Sequence, residues 1–335
     1  MTSQAMTSTA RPRWLSPRRL RKIQEAGLGY LFLLPAFAVL VVFEFFPVFY
    51  GLSISLCTNY KIRFAEGQSC AYGLANYIKA LNDPEMWHSL LVTASYAFIS
   101  VPIQLGISLV LAYLLFQQIR GKTIYRVLFF MPYITATVAS ASVWAFLYSP
   151  DKGLINEVAV KLGLPALKWL GEPRGVFQVL GQYLGFTVSP ALSGPSLALV
   201  AIIIYTTWVF VGYDTAIFLA GLGNIPGELY EAARIDGASG WQLFRRITVP
   251  LLSPTTFFLL IYTVIGTFKA FNHIYVMTMG GPGNATTTAS VFIFQQMYQF
   301  NRYGYSAALS FILLSVILVV TIFQNRFAGR NVVYS

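Results

Sequence analysis

Residues 223–250 read Gly-Asn-Ile-Pro-Gly-Glu-Leu-Tyr-Glu-Ala-Ala-Arg-Ile-Asp-Gly-Ala-Ser-Gly-Trp-Gln-Leu-Phe-Arg-Arg-Ile-Thr-Val-Pro. The stretch joins two long apolar runs, and a plain connector there would be short and polar. This one carries helix signals instead. Asn224 can cap a helix, Pro226 fits a first turn, and Glu228 suits the positive end of the helix dipole. Glu228 to Ile235 are good helix formers, and Gly237 permits a sharp turn. Ser239 can cap a second short helix that carries Trp241, Leu243, Phe244 and Ile247 mostly on one side. Pro250 marks the return to apolar sequence. Two short helices that meet at Asp236-Gly237 are therefore expected, with an acidic first half (Glu228, Glu231, Asp236) against one Arg234. A helix lying on lipid would be rich in Lys and Arg. The acidic and apolar surface suits a groove on another protein better.

The flanking sequence sets the class. Of 335 residues, 10% are charged and 56% are hydrophobic, and the mean hydropathy is +0.62. Soluble domains carry about 25% charged residues, so most of this chain avoids water. A bilayer core needs about 20 apolar residues in a helix. Six stretches qualify: Leu28–Leu56, Leu90–Phe116, Val127–Ser149, Ser196–Gly223, a run from Leu251 to about Lys269, and Tyr305–Asn325. The second, third and sixth carry no charge, the first holds Glu44 and the fourth holds Asp214. They are helices because lipid offers no partner to open backbone groups. Val176–Phe186 is too short to span and is read as an interfacial segment. The expected fold is an all-α membrane protein with six transmembrane helices and a loop of two short helices on the inner side. A basic tail (1–27) precedes the transmembrane domain (28–327, with the loop at 223–250), and a short tail (328–335) follows it.

Orientation follows from Lys and Arg. Arg11, Arg13, Arg18, Arg19, Arg21 and Lys22 precede the first span. Arg120, Lys122 and Arg126 follow the second, Arg234, Arg245 and Arg246 follow the fourth, and Arg326 and Arg330 follow the sixth. This bias puts both termini and the 223–250 loop in the cytoplasm. The first apolar run is longer than a signal-peptide core and has no small-residue cleavage site after it, so it reads as a retained helix.

The formal charge of +11 is explained by these loops. No basic face or reader motif points to nucleic acid. With two cysteines, two histidines and no ligand spacing, no metal site is expected. Cys57 and Cys70 share one outer loop, where a disulfide would form only in an oxidising compartment. Gly121-Lys122-Thr123 ends like a phosphate loop, but Phe116 stands where the first glycine is needed. No catalytic set is visible, so the chain is not expected to be an enzyme.

On Glu231-Ala232-Ala233, Asp236-Gly237-Ala238, Phe244 and Pro250, the sequence resembles the inner-membrane permease subunits of binding-protein-dependent ABC importers. Leu128-Phe129-Phe130-Met131-Pro132-Tyr133 with Trp144, Gly153-Leu154-Ile155-Asn156, Phe218-Leu219-Ala220-Gly221-Leu222, and Tyr275-Val276-Met277-Thr278 leading to Gly280-Gly281-Pro282-Gly283-Asn284 are similar to the maltose-type carbohydrate permeases. The resemblance covers roughly residues 28–327. The chain departs from the pattern by extra sequence around 182–195 and by lacking a large folded outer insertion.

This resemblance implies the type I ABC importer permease fold and a place in the inner (plasma) membrane. It implies a second, similar permease, two ATPase subunits that bind the ATP, and an extracytoplasmic solute-binding protein. It implies no cofactor on this chain. Glu231, Ala232, Ala233, Asp236, Gly237 and Ala238 would couple to the ATPase. For a sugar-like solute, Asp214 is the leading contact candidate, because a carboxylate accepts two hydroxyls and charged groups within spans are functional suspects. Trp208 and Tyr213 offer aromatic faces to a sugar ring, and Asn272 could line the same path. A buried Asp214 paired with a neighbouring helix is the competing reading. Lys269 reads as an interfacial lysine. A stand-alone secondary transporter is the rival class. It would need embedded carboxylates or an ion site, and it would have no use for the 223–250 loop.

Overall fold

The computed structural model describes residues 17–60, 70–117, 120–189 and 192–329. Arg11, Arg13 and Arg330, most of both tails, and Pro190-Ala191 of the 182–195 segment lie outside the described residues. The chain divides into two compact units between Ile54 and Ser55.

The first unit is one helical stretch. α1 (Pro17–Leu40) passes through a π turn at Val41–Phe45 into α2 (Phe46–Leu56). Residues Arg21–Leu56 are long and apolar enough to cross a membrane. The helix starts before Leu28, the expected boundary, because the basic segment is made of helix formers. An exposed Arg21–Glu25 pair one turn apart (3.0 Å) adds a little support. Glu44 falls in the π turn.

In the second unit, Cys57 and Cys70 form a disulfide, which resolves the question the sequence left open. Asn76 Nδ2 donates to the carbonyls of Ser55 and Cys57, both at 3.0 Å, and so ties that segment to α3 (Ala75–Leu81). α4 (Pro84–Phe116) is capped by Asp83, whose side chain accepts from the Glu85 amide at 2.9 Å. Asp83 also accepts from Tyr305 Oη at 2.5 Å.

Val127–Ser149 is not one straight span. It divides into α5 (Lys122–Ile134) and α6 (Thr137–Leu147), bent by 96°. Pro132 has no amide hydrogen to give the preceding turn, and Thr135 leaves the helix with an extended backbone (φ −69°, ψ 139°). Beyond it lie α7 (Leu154–Lys161) and the short amphipathic α8 (Val176–Leu184), which stops at Gly185 in the left-handed conformation (φ +79°). Asn156 organises this region. Its amide donates to the carbonyls of Pro150 and Leu167, and its Oδ1 accepts from the Leu167 amide and from Trp169 Nε1.

α9 (Leu197–Gly223) is capped by Ser196, whose hydroxyl accepts from the Leu199 amide at 3.1 Å. After α10 (Gly227–Ile235), the chain forms α11 (Gly240–Leu243), a π turn at Phe244–Thr248, and α12 (Val249–Leu251). It bends by 64° into α13 (Ser253–Phe268), so the turn into the fifth span falls just after Pro250, at Leu252. α14 (Asn272–Thr278), α15 (Ala289–Phe294) and α16 (Tyr303–Phe327) complete the chain. Among the described residues, four helices are long and apolar enough to span, and up to six spans result if each bent pair counts as one. Among the described residues no strand forms, only two isolated bridges.

α4 and α9 make the central contact of this unit. Ser108 Oγ donates to the Gln104 carbonyl (2.7 Å) and lies 3.1 Å from that of Val211 across the interface. Thr215 Oγ1 bonds the Val211 carbonyl at 2.6 Å. Small hydroxyls of this kind let helices approach closely in lipid. α5 lies against α9 at Gly212, where a Cβ would collide with the Phe129 carbonyl. Gly212→Ala is therefore expected to cost about 1–3 kcal/mol. It should lower the thermal unfolding midpoint in detergent, whereas Gly106→Ala, whose Cβ would meet nothing within 4 Å, should not.

Candidate functional site

The 223–250 loop is built from local capping chemistry. α10 starts at Gly227 with Pro226 as its cap, one place before the expected position, while Asn224 closes α9 instead. α10 ends in two crossed bonds: the Gly237 amide reaches the Arg234 carbonyl (3.0 Å), and the Ala238 amide reaches that of Ala233 (2.9 Å). This closure needs a left-handed residue after the cap, and Gly237 supplies it with φ +78°. Ser239 then opens α11 with a capping box. Its amide donates to Gln242 Oε1 (2.7 Å), and its hydroxyl accepts from the Gln242 amide (3.4 Å).

The loop is fixed to the bundle from below. The Tyr113 ring of α4 packs edge-on to Phe244 at 4.8 Å, and Tyr230 Oη lies 3.0 Å from the buried Thr248 hydroxyl. Its other face is open. Glu231, Ala232, Asp236 and Gly237 are exposed, with Ala233 and Ala238 half-buried. Ile235 is 86% exposed and Trp241 67%. Of the side chains expected mostly on one side of the second helix, Trp241 stacks on Phe244 at 5.6 Å and is open, while Leu243 is buried. Large apolar groups exposed beside carboxylates mark a surface for a partner.

The second element is a cavity of about 410 Å³ inside the second unit. Gln104 of α4, Asp214 of α9, Tyr262 of α13 and the turn Lys269–His273 all reach it. Asp214 is 1% exposed, and Gln104 Nε2 donates to its Oδ2 at 2.6 Å. Asp214 thus pairs with a neighbouring helix, as one of its two readings expected, and it also borders a cavity. Asn272 joins it there. Tyr213 and Trp208 do not line this cavity. Tyr213 stacks on Tyr133 (4.6 Å) and lies 5.6 Å from Tyr262, and Trp208 packs on Trp144 at 5.3 Å. Lys269, exposed at the end of α13, also borders the cavity. A cleft of about 520 Å³ beside Gly212 is mainly apolar apart from Arg126 and Thr215.

Sequence reasoning missed Gln104, Tyr262 and His273. Gln104 was a neutral amide in an uncharged run, and only its spacing with Ser108 on one helix face could have flagged it. No group of three or more His, Cys, Asp or Glu that could hold a metal is found among the described residues.

A bundle of broken and straight spanning helices, with an internal polar cavity and a capped, partner-facing helix pair at one end, defines a transport subunit of a membrane. The chain belongs to the family of binding-protein-dependent transport system inner membrane components, which it matches over residues 78–332. It is 35% identical over 301 residues to the trehalose/maltose transport system permease protein MalF of Thermococcus litoralis, covering 90% of this chain and 93% of that one. It is 32% identical over 309 residues to the lactose transport system permease protein LacF of Rhizobium radiobacter (90% and 94%). It is also 32% identical over 308 residues to the sn-glycerol-3-phosphate transport system permease protein UgpA of Rhizobium meliloti (92% and 96%). A solved bacterial ABC transporter that imports the acidic polysaccharide alginate shares the fold. Its TM-score is 0.75 at 21% identity, covering 93% of this chain and 99% of that one.

The Gln104–Asp214 pair makes a stability test. Gln104→Leu or Asp214→Leu alone strands a buried polar group and should cost about 1–3 kcal/mol. The double variant should recover part of that loss, giving a coupling energy of about 0.5–3 kcal/mol in a double-mutant cycle of detergent unfolding.

Proposed function

We propose that this permease subunit forms half of the pathway of an ATP-driven importer for a carbohydrate or sugar-like solute. The observation that carries the reading is the 223–250 loop: a rigid, doubly capped helix pair whose acidic and apolar face is open to a partner. In this reading residues 28–327 form the permease domain, and the tails at 1–27 and 328–335 lie in the cytoplasm with the loop. The chain hydrolyses no ATP and needs no cofactor. Two ATPase subunits bind the nucleotide, a second permease completes the pathway, and an extracytoplasmic binding protein delivers the solute. Glu231, Ala232, Ala233, Asp236, Gly237 and Ala238 form the coupling surface.

The carbohydrate class is supported by relatives named for trehalose/maltose, lactose and glycerol 3-phosphate. The cavity chemistry agrees. Asp214, Gln104 and Asn272 offer acceptors and donors to hydroxyls, and Tyr262 offers an aromatic face. Tyr213 lies beside Tyr262 of the cavity wall (5.6 Å) and Trp208 packs on Trp144, so neither is taken as a solute contact.

Two outcomes follow. In a pull-down from solubilised membranes, wild type should bring down a second permease and an ATPase. The Glu231→Lys/Gly237→Pro variant should keep the permease and lose the ATPase, because proline cannot adopt the φ of +78° found at Gly237. An ATPase retained at wild-type levels would remove the loop from the coupling surface. Separately, Asp214→Asn should leave assembly intact and weaken solute binding about tenfold, since a charge-assisted bond becomes a neutral one. An unchanged solute profile would take Asp214 out of the pathway.

A further inference from the structure

The cavity depends on a turn that is not helical. Between α13 and α14 the chain reverses through Lys269, Ala270 and Phe271, with Phe271 at φ −136° and ψ −61°. Lys269, Phe271 and Asn272 from this turn face the cavity, so the turn sets where one wall stands. The Phe271 carbonyl accepts from the Tyr275 amide at 2.9 Å, while those of Ala270 and Phe268 receive long side-chain bonds from Thr288 Oγ1 (3.4 Å) and Ser290 Oγ (3.3 Å).

The next residue, His273, is buried (5% exposed) and borders the same cavity, as do Tyr96 and Thr206, while its Nε2 is engaged by those two side chains. Its Nε2 lies 3.1 Å from Tyr96 Oη of α4 and 3.3 Å from Thr206 Oγ1 of α9, and those two hydroxyls are 2.8 Å apart. Thr206 Oγ1 is also 2.9 Å from the Ile202 carbonyl, a natural acceptor for its proton. The Tyr96 hydroxyl is then left to the imidazole and the Thr206 oxygen. The Tyr205 ring lies 5.6 Å from the imidazole, and its hydroxyl donates to the Thr137 carbonyl (3.1 Å) and meets Ser140 Oγ at 2.8 Å. One imidazole therefore connects the turn to α4 and α9 directly, and to α6 through Tyr205.

We infer that His273 is a positioning residue: its bonds to Tyr96 and Thr206 pin the 269–273 turn so that Lys269 and Asn272 are presented to the solute. The inference rests on the cavity being the solute site. A buried polar cluster that satisfies all its members holds one geometry. Groups held in their bound geometry bind more tightly than groups that must be ordered on binding.

The test is equilibrium binding to the purified complete transporter, with tritiated maltose, trehalose, lactose and glycerol 3-phosphate as probes. The one bound by wild type is carried forward. His273→Ala should weaken its Kd about tenfold at an unchanged number of sites per assembled complex. His273→Gln, which keeps a polar group of similar reach, should stay within about threefold of wild type. If His273→Ala does not assemble, Tyr96→Phe and Thr206→Val take its place, and each should weaken binding about threefold. A loss of sites with an unchanged Kd means a structural role only and overturns the inference, as does glutamine failing to rescue. Asn272→Ala and Asp214→Asn separate the two claims. If they weaken binding and the His273, Tyr96 and Thr206 variants do not, the positioning role is wrong while the cavity stands. If they too leave Kd unchanged, or wild type binds none of the probes, the cavity reading fails and takes this inference with it.

Discussion

Everything in the second unit hangs on how closely α4 and α9 approach one another. The hydrophobic effect gives two helices little reason to associate inside lipid, so packing and polar contacts must do it. Here Ser108 and Thr215 place small hydroxyls at the interface, and the buried Gln104–Asp214 bond crosses it. Removing either partner would leave an unsatisfied polar group, so the pair fixes register as well as distance. α5 can then come up against Gly212, and Tyr213 is brought onto Tyr133. The cavity is the space left where α13 and the following turn complete the ring around that pair.

The same helix joins the two functional elements. From Asp214 to Gly223, α9 runs nine residues, about 14 Å of rigid helix. Just beyond its end begins the capped pair α10 and α11, braced on Tyr113 of α4. The two helices that hold Asp214 and Gln104 therefore also seat the loop. In the proposed importer, a push on the loop would reach the walls of the cavity through continuous helical backbone. Packed elements of this sort move as bodies between discrete arrangements.

How much could be read in advance followed the range of the forces involved. The spans were legible because an apolar run in lipid has one solution, a helix. The helix pair of the 223–250 loop was legible because capping is local: Ser239 with Gln242, and Gly237 after Ile235, announce helix ends within four residues. Pro226 was misplaced by one position because the tight exit from α9 consumed Asn224. The 96° bend after Pro132 was not legible, since proline is tolerated in straight membrane helices too and only packing decides. The cavity was half legible. Asp214 stood out as a charge in an apolar run, but its partner Gln104 lies 110 residues away and carries no charge. His273 was invisible because its meaning depends on three helices meeting.

Uptake into liposomes reconstituted with this chain, its second permease, the ATPase and the binding protein discriminates best between a coupled importer and its rival. Accumulation should require ATP on the ATPase side and vanish with a hydrolysis-deficient ATPase. Solute movement by this chain alone, driven by an ion gradient and indifferent to ATP, would contradict the reading and make the protein a secondary transporter.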